Sequence, residues 1–577
     1  MSFPNALRFE AKFNRQRFPQ PPPGDREWYT YEALRALPRI ILMIDKNEFS
    51  ETYGCFDREF WHYRTTDFPC AMNQEFCLPL ALAYSTPFPN NAYYQSERLK
   101  ELVIASIEFA QKTTHEDGSC DDYFPYERAL GAHVFSTYAM TESYIELDLN
   151  RPDLLEFFRL RGDWLLNNNE SGQLTNHQAF AALALYNVYI LTGDDRYLLH
   201  GSHHFRDITL SWQQEEGWFQ EYEGADPGYH SCSIAFLGKL YQKSKDQKLI
   251  EPLKKAVEFS AYFMHPDGSY AGEYGSRNTY HFYPHGFEIM APFSKTATRI
   301  AETYLHRSLP ERRRYFNDDN RMCAHYVYDW MQAWRDYHPQ REGLLEEHRE
   351  PFTKYFKAAG LLVKKTPHYY AILALNKGGV LKVFDENGPI YSDTGLMAKT
   401  DDDKVLVSHL VDQHNLKVDH KRGEYSVEGA MSYRRQPLPS PTKQILFRGM
   451  NLSVGRWNAH LVRQILQKVL ITGKPKTKVR FRREFVFHDD HIECKSSIDA
   501  SKDPRTFTKL AIGSDATSIY VANSNTFQES TLIPWRALPQ HIYTLNQQHK
   551  VEIPKWEIRP SDESYTPSST ADTDKVS

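Results

Sequence analysis

The chain has 577 residues and a formal net charge of −5, with 41% hydrophobic and 25% charged residues. A single hydrophobic core seldom organises so long a chain, so two or three domains are expected. The composition is typical of a globular protein, and the small negative charge excludes a general attraction to nucleic acid or anionic membranes.

The cysteines and the distribution of apolar residues indicate where in the cell the protein is expected. The seven cysteines form no C-x-x-C pair, and so sparse and odd a set indicates reduced thiols inside a cell. Residues 1–17 contain no apolar core of a signal peptide. No run of about 18 apolar residues predicts a membrane-spanning helix. The sequence therefore predicts a cytoplasmic protein, with periplasmic or secreted placement by another route left open.

The first 27 residues are polar and rich in proline, which predicts a flexible N-terminal arm. Beyond them apolar residues recur at helical spacing, and this predicts a helical domain over residues 28–340. Near its start, "TYGCFDREFWHYRTTDFP" is dense in aromatic residues and arginine. Trp61 and Arg64 of this segment suit contact with an anionic sugar chain, and a packed surface loop is the alternative.

Four turns centred on glycine divide the helical part at nearly regular intervals. They span residues 115–119, 170–173, 215–218 and 265–269. Their glycines lie 45 to 54 residues apart. An interval of about 50 residues accommodates two helices with their turn and loop, so the pattern predicts stacked helical hairpins. We interpret this part of the chain as an incomplete (α/α) toroid.

After each turn comes a polar cluster and then a helix that is apolar on most sides, such as "AFAALALYNVYIL" after "TNHQ". Such helices are expected to form the inner ring of the toroid. The polar clusters would then gather at the N-terminal ends of the inner helices. Because helix N-termini carry free N–H groups and partial positive charge, that face is suited to a carboxylate, sulfate or phosphate.

Polar residues begin two consecutive inner helices. Asn176 and His177 follow Thr175, a suitable N-cap. Their amide and imidazole could donate to a substrate carboxylate, and helix capping with a buried histidine is the alternative. Tyr229 lies about one repeat further on, with Tyr222 in the loop before it. A phenol near cations can lose its proton and act as a base, and an aromatic residue packed at the start of a helix would look the same.

Further candidates for substrate binding lie in two other clusters. Arg277, His281 and His285 occur in "GSRNTYHFYPHG", and Arg128 ends "DDYFPYER". Arginine can hold a carboxylate through two hydrogen bonds, and the histidines could line a cleft. Pro284 argues against one regular helix that carries both histidines, so no metal site is predicted from their spacing.

In the second part of the chain, helical spacing gives way to short β-branched runs broken by Gly and Asp. The strand candidates are "YYAILAL", "GGVLKVFD", "KVLVSHLV", "LSVGRW", "KVRFRREFVF" and "HIECKSSI". Strands that follow helices in this way predict a separate antiparallel β-sandwich domain over residues 355–540. The remaining residues 541–577 end in a Ser/Thr/Asp-rich stretch and are predicted to form a largely disordered tail.

The helical repeat, together with "TNHQAFAAL", "EYEGADPGYHS", "YYAILALNKGGVLKVF" and "YSDTGLM", resembles the heparinase II/III-like polysaccharide lyases and the related alginate lyases. The resemblance implies a carbon–oxygen lyase that cleaves a uronate-containing polysaccharide, a reaction that needs no cofactor. In that family an Asn–His pair, matched by Asn176 and His177, neutralises the uronate carboxylate. A tyrosine one repeat later, best matched by Tyr229, acts as acid or base. A further histidine assists, for which His281 or His285 is a match.

The resemblance implies an acidic polysaccharide or oligosaccharide as the partner, and a β-elimination that leaves an unsaturated sugar. Two other toroid enzymes remain possible on the sequence. A glycoside hydrolase would use a carboxylate pair such as Asp122 with Glu127 or Glu221, and a uronate C5-epimerase would return the abstracted proton to the other face. An alternative from a different class is a non-catalytic polysaccharide-binding protein of exopolysaccharide assembly. Such a protein would retain a sugar-binding groove of aromatic residues and arginine but would not cleave the polymer.

Overall fold

The computed structural model describes residues 26–169, 172–307, 321, 323–385, 387–434, 440–466, 476–514 and 534–560. The predicted arm up to residue 25 and the tail from residue 561 lie outside these ranges. Within them most helices come first and the long antiparallel strands later, as the sequence predicts; one short hairpin lies between helices, and three helices lie between strands.

Thirteen α-helices precede the first long strand in the described part of the chain. They are α1 (Glu27–Met43), α2 (Arg58–Trp61), α3 (Cys77–Ser85), α4 (Glu97–Thr113), α5 (Leu130–Glu146), α6 (Pro152–Asn167), α7 (Thr175–Thr192), α8 (His203–Ser211), α9 (Pro227–Ser244), α10 (Ile250–Ala261), α11 (Pro284–Met290), α12 (Lys295–Arg307) and α13 (Cys323–Arg335). The hairpin consists of β1 (Gln220–Glu221) and β2 (Gly224–Ala225) between α8 and α9.

Six of these helices form an inner ring. In ring order they are α3, α5, α7, α9, α11 and α13, and α13 packs back against α3. A second layer consists of α1, α4, α6, α8, α10 and α12, each packed against a helix of the ring. The middle of α7, from Gln178 to Leu185, is buried at every position, because it has neighbours on all sides. The helical toroid predicted from the repeat is confirmed.

Local sequence decides how the inner helices begin. The helix α9 starts at Pro227, whose fixed φ suits the first turn, and Asp226 caps it by accepting the N–H of Tyr229 at 3.0 Å. The start of α7 differs from the prediction. Thr175 is not the N-cap but the first helical residue, and its hydroxyl donates to the Gln220 carbonyl at 2.5 Å.

The second part of the chain forms two antiparallel sheets. The smaller sheet runs in chain order through β3 (Phe352–Phe356), β4 (Leu361–Lys365), β5 (Tyr370–Ala374), β6 (Val380–Asp385) and β7 (Gly388–Asp393). The strands of the larger sheet are β8 (Gly395–Thr400), β9 (Val405–Val407), β10 (Asn415–Asp419), β11 (Glu424–Tyr433), β12 (Lys476–Phe487), β13 (Ile492–Asp499), β14 (Phe507–Gly513), β15 (Trp535–Ala537) and β16 (Lys550–Ile558). Its order is β15-β14-β8-β9-β11-β12-β13-β16, with β10 paired to β11.

The five-stranded sheet is buried on both faces. Val363 and Ile372 belong to one hydrophobic core with the helices, whereas Leu362 and Leu373 belong to a second core with the nine-stranded sheet. Successive side chains of a strand point to opposite faces, so this sheet is a layer shared by the two cores. The double burial explains why "YYAILAL" is continuously apolar. It also confirms that the β part packs against the helical part.

Two predictions for the second part of the chain are corrected. "LSVGRW" is not a strand but lies between the helices α14 (Pro441–Met450) and α15 (Ala459–Leu466); Pro441 favours a helix start there. Residues 541–560, assigned to the disordered tail, form the helix α16 (Ile542–Gln548) and the strand β16. That strand pairs with β13, because Val551, Ile553 and Ile558 supply an alternating apolar face that is buried.

Two buried lysines join the five-stranded sheet to the loop before α11. The Lys382 ammonium lies 2.7 Å from Glu273 Oε2 and also contacts the Tyr280 hydroxyl. The Lys377 ammonium lies 2.5 Å from the carbonyls of Glu273 and Gly275. Burial acts to raise the pKa of Glu273, but the Lys382 charge holds this pKa below its ordinary value. The sheet therefore fixes the position of a loop whose residues belong to the candidate site.

Two expectations about the whole chain concern thiols and membranes. All seven cysteines fall within the described residues, are buried and form no disulfide. Among the described residues, no helix combines the length and apolarity needed to cross a bilayer.

Candidate active site

Asn176 lies in the first turn of α7 and holds Glu221 of β1. Its backbone N–H lies 3.0 Å from Glu221 Oε1, and its side-chain Nδ2 lies 3.0 Å from both carboxyl oxygens. Both side chains are buried. The Asn176 Oδ1 atom has no hydrogen-bond partner among the described residues. Burial raises the pKa of Glu221 to about 8, against the hydrogen bonds from Asn176 and the charge of Arg277, so this carboxyl group is mostly protonated at neutral pH.

The β1–β2 hairpin brings Tyr222 beside the start of α7. Glu221 forms a β-bridge with Leu174, and the Tyr222 N–H donates to the Gln173 carbonyl at 2.8 Å. Tyr222 itself has a φ of 54°, in the left-handed region that a tight turn requires. The hairpin is thereby tied to the residues that precede Asn176.

The guanidinium of Arg277 lies over two tyrosine rings. Its central carbon is 4.4 Å from the ring centroid of Tyr222 and 5.4 Å from that of Tyr229, distances at which a ring attracts a cation. Asp226 fixes the backbone on both sides of this contact, since its carboxylate accepts the N–H of Tyr229 at 3.0 Å and that of Arg277 at 2.8 Å. One carboxylate therefore holds the start of α9 and the Arg277 loop together.

Tyr229 contacts His281, which in turn contacts Tyr326. The ring centroids of Tyr229 and His281 lie 5.1 Å apart with the rings at 81°. His281 Nδ1 shares a hydrogen bond with the hydroxyl of Tyr326, in the first turns of α13. Burial raises the pKa of Tyr229, and this effect outweighs the lowering by Arg277. The Tyr229 phenol is therefore neutral in the resting site.

His177 reaches from α7 across to α5, where a glycine leaves room for its ring. A Cβ atom on Gly131 would lie 2.9 Å from His177 Cε1. The Phe135 ring, one turn along α5, lies 6.0 Å from the His177 ring and 5.2 Å from that of His325. Since His325 precedes Tyr326, the ring contacts lead from His177 back to His281.

The structure thus places six of the predicted residues on one face of the toroid, where the inner helices begin. They are Asn176, His177, Tyr222, Tyr229, Arg277 and His281, and we call them the site cluster. Every member lies in the first turn of an inner helix or in the loop before one.

His285 does not join the site cluster, contrary to the prediction. Its Nε2 lies 2.6 Å from Asp336 Oδ2. Asp336 follows the C-terminal end of α13, about 15 Å along that helix from Tyr326. Burial lowers the pKa of His285, although Asp336 acts in the opposite direction. Pro284 begins α11 between the two histidines, so His285 is packed among helices while His281 stays in the loop.

The other three predicted binding residues have contacts of their own. The Trp61 indole N–H donates to the Met43 carbonyl at 2.9 Å, at the end of α1. Arg64 is exposed in a turn with a φ of 56°. Arg128 forms an ion pair with Asp117 at 3.2 Å. Their part in substrate binding stays a prediction.

Sequence reasoning missed two residues that contact the site cluster. Asp226 had a visible signal, because Asp-Pro at a helix start is a typical N-cap followed by a first-turn proline. Tyr326 had none, since it lies on a helix that follows no repeat turn.

The sequence predicts no metal, and the described residues hold one group with suitable geometry. The ligand atoms of His488, His491 and Glu493 lie within 4.8 Å of one another, around the turn between β12 and β13. The Lys555 ammonium is paired with Glu493, so a protein cation already neutralises this carboxylate. The group belongs to the nine-stranded sheet and not to the site cluster.

No protein-family model matches the sequence, and no curated protein does. Solved structures do share the fold. The Streptomyces coelicolor A3 chondroitin AC lyase, in complex with chondroitin sulphate, has a TM-score of 0.54 at 11% identity, covering 89% of this chain and 73% of that chain. Heparinase III has a TM-score of 0.47 at 12% identity, covering 86% and 75%. At such identities the likeness concerns the fold, a helical toroid followed by β-sheets.

Proposed function

We propose that the protein is a polysaccharide lyase that cleaves a uronate-containing polysaccharide by β-elimination. One observation carries the proposal: the site cluster gathers a phenol, an amide, two imidazoles and a guanidinium on one face of the toroid, with His281 and Arg277 packed against the Tyr229 ring. The Glu221 carboxyl group, hydrogen-bonded to Asn176, has its pKa raised to about 8 by burial. Such a site attracts a carboxylate and moves protons. The fold shared with chondroitin AC lyase supports the same reaction class.

The reaction needs two proton transfers and no redox change. A base removes the proton at C5, next to the uronate carboxylate, and the electron pair moves to form the C4–C5 double bond. The bond between C4 and O4 breaks, and an acid protonates the departing O4. The carboxylate must be neutralised while negative charge spreads into it during this step, because the C5 proton is otherwise too weakly acidic.

Asn176, His177 and Arg277 are proposed to neutralise the carboxylate. In the structure the Asn176 amide directs Nδ2 to Glu221, the orientation suited to an ionised carboxylate, and Oδ1 has no partner among the described residues. A protonated Glu221 can instead donate its O–H to Oδ1, and the amide then turns Nδ2 toward the substrate. The raised pKa of Glu221 therefore favours the orientation that the chemistry requires.

Tyr229 and His281 are proposed as the acid–base pair. Since burial keeps the Tyr229 phenol neutral, it is suited to donate its proton to O4. The His281 ring, 5.1 Å away, is then suited to accept the proton from C5. Hydrogen bonding to Tyr326 sets the orientation of the imidazole.

The hydrolase alternative has less support. Asp122 forms an ion pair with Arg321 and accepts the thiol of Cys70 at 3.1 Å. Glu127 accepts the Tyr123 N–H at 2.7 Å. Both carboxylates are occupied in holding the loop before α5, and Glu221 is bonded to Asn176. A glycosidase needs two carboxyl groups that both face the scissile bond.

Replacing Glu221 by glutamine is expected to change the pH dependence of activity. In the wild type, kcat/KM falls as pH rises through about 8, because ionised Glu221 draws the Asn176 amide to itself. In the variant, the introduced glutamine amide donates to Asn176 Oδ1 at every pH, so activity persists on the alkaline side. The measurement is kcat/KM between about pH 6 and 9.5. An identical alkaline decline in both proteins would contradict this role for Glu221.

Folding stability supplies an independent check on Glu221. Its pKa in the folded protein, about 8, is raised above the ordinary 4.5. The contribution of Glu221 to the free energy of unfolding is therefore complete below about pH 4.5 and is lost as pH rises through about 8. Thermal unfolding should show a downward slope across this interval in the wild type that is absent in Glu221→Gln.

Gly131→Ala is expected to lower activity without lowering stability. The new methyl group would lie 2.9 Å from His177 Cε1, so the imidazole must move, and kcat/KM should fall about 10-fold or more. Alanine favours a helix over glycine by up to about 1 kcal/mol, so the melting temperature should hold or rise. Gly449→Ala is the matched control, a helical glycine whose Cβ would meet nothing within 4 Å. Equal activity in both variants would remove His177 from the site.

The proposed function is tested by a substrate screen of the purified protein. Alginate, heparan sulfate, hyaluronan, chondroitin sulfate and bacterial exopolysaccharides are incubated with the protein, and the unsaturated product is followed by its ultraviolet absorbance. We expect absorbance to rise with at least one uronate polymer. Reducing ends without absorbance would indicate a hydrolase. Exchange of C5 hydrogen in D2O without chain cleavage would indicate an epimerase. Binding of a polymer without cleavage or exchange would indicate a non-catalytic polysaccharide-binding protein.

A further inference from the structure

The connection between β11 and β12 is far longer than the sheet requires. The two strands are antiparallel neighbours, and Ser432 pairs with Lys476 at the end where the chain leaves the sheet. A hairpin of about 2 to 5 residues would join such strands. Instead residues 440–466 contain α14, a wide turn at Asn451–Gly455, and α15. We call residues 440–466 the helical arm.

The helical arm contacts the toroid next to the site cluster. Phe447 packs edge-on against Phe124 at 5.0 Å, and Arg456 lies 5.8 Å from the Tyr126 ring. Arg448 forms an ion pair with Asp67. The loop that holds Phe124 and Tyr126 leads directly into α5, the helix on which His177 rests. The arm is therefore held at the face of the toroid where the site cluster lies.

On its outer side the helical arm exposes an apolar stripe. Large apolar side chains are exposed in both of its helices and in the turn between them, and Trp457 is 87% exposed. The exposed members are Ile445, Leu446, Leu452, Val454, Trp457 and Leu461. A helix pair in a globular protein normally buries such a stripe, and a contiguous exposed one marks an interaction surface.

The charge of the helical arm points to the kind of partner. Residues 440–466 contain four basic residues, Lys443, Arg448, Arg456 and Arg463, and no Asp or Glu, although the whole chain has a net charge of −5. Basic residues beside an apolar helical stripe with tryptophan are typical of helices that lie in a bilayer interface. The aliphatic side chains of the stripe fit acyl chains, whereas sugar polymers offer hydroxyl and carboxylate groups.

We propose that the helical arm docks the protein on an anionic lipid surface. Leu446, Val454, Trp457 and Leu461 would enter the boundary between headgroups and acyl chains, and Lys443 would lie at the level of the lipid phosphates. The proposal goes beyond the catalytic function and does not depend on it.

The test is flotation of the full chain with vesicles of phosphatidylcholine that contain about 30% phosphatidylglycerol. We expect the wild type to float with these vesicles and to be released by salt. The variant Trp457→Ala/Leu461→Ser should lose at least about 10-fold in partitioning. Phe49→Ala, which removes an exposed aromatic ring from the helical part, is the matched control and should float like the wild type.

Three results would overturn the proposal. In the first, the wild type stays with the unbound fraction, or the arm variant floats equally well. In the second, the arm variant loses retention on an acidic polysaccharide gel but not on vesicles, which would make the arm a sugar-binding element. In the third, the wild type elutes as a dimer and the arm variant as a monomer, so that a second copy covers the stripe. Circular dichroism of each variant shows whether its fold is intact.

Discussion

Tyr229→Phe should lower turnover by about 100-fold or more while KM changes little, which is the usual effect of losing an acid–base group. Phenylalanine keeps the ring that packs at 5.1 Å against His281 and under the Arg277 guanidinium. It removes only the hydroxyl that we propose protonates O4. The measurement is the steady-state rate of unsaturated product on the best substrate of the screen.

A second buried tyrosine provides the control for Tyr229. Tyr93→Phe removes a hydroxyl from a buried tyrosine just before α4, and its kcat should stay within about 2-fold of the wild type. A folded Tyr229→Phe protein with undiminished turnover would remove Tyr229 from the mechanism. The proton transfer would then fall to Tyr222 or to His281.

Lys382→Met should lower the free energy of unfolding by about 3–5 kcal/mol, because it leaves the Glu273 carboxylate buried without its cation. The loop that contains Arg277 and His281 should loosen at the same time, so activity should fall with stability. Urea denaturation followed by tryptophan fluorescence gives the free energy.

Two further variants separate a buried pair from an exposed one. Lys382→Met/Glu273→Gln removes both charges and should recover most of the lost stability. Lys495→Met breaks the exposed pair of Lys495 with Glu552, which are 3.0 Å apart, and should change stability by at most about 1 kcal/mol. If Lys382→Met costs no more than Lys495→Met, the sheet does not fix the loop as proposed.

Periodicity in the sequence was enough to predict the architecture. The turns about every 50 residues and the apolar helices after them follow from a repeat in which each hairpin packs on the next. The alternation of Val551 and Ile553 was equally visible, yet the polar residues around it favoured a tail. "LSVGRW" could not be assigned from composition, since a short apolar run fits a helix or a strand equally well.

The sequence indicated which candidate residues lie near one another where these residues share a position in the repeat. Asn176 and Tyr229 each lie in the first turn of an inner helix, so their approach follows from the toroid. Tyr326 approaches His281 from a helix that closes the ring, and nothing local to its sequence indicates this contact. His285 shows the opposite case. It follows His281 closely in the sequence, but Pro284 begins α11 between them, so His281 stays in the loop while His285 contacts Asp336 beyond the C-terminal end of α13.

The five-stranded sheet that belongs to both hydrophobic cores has a consequence for how the chain can be divided. A cut near residue 345 would remove the five-stranded sheet from the toroid and expose the apolar surface that the sheet covers. It would also expose the face of the sheet that packs against the helices. The two halves should therefore melt together in one calorimetric transition, and a toroid produced without its strands should aggregate. In such an architecture the toroid cannot be separated from the sheet, because Lys377 and Lys382 of the sheet region hold the loop that contains Arg277.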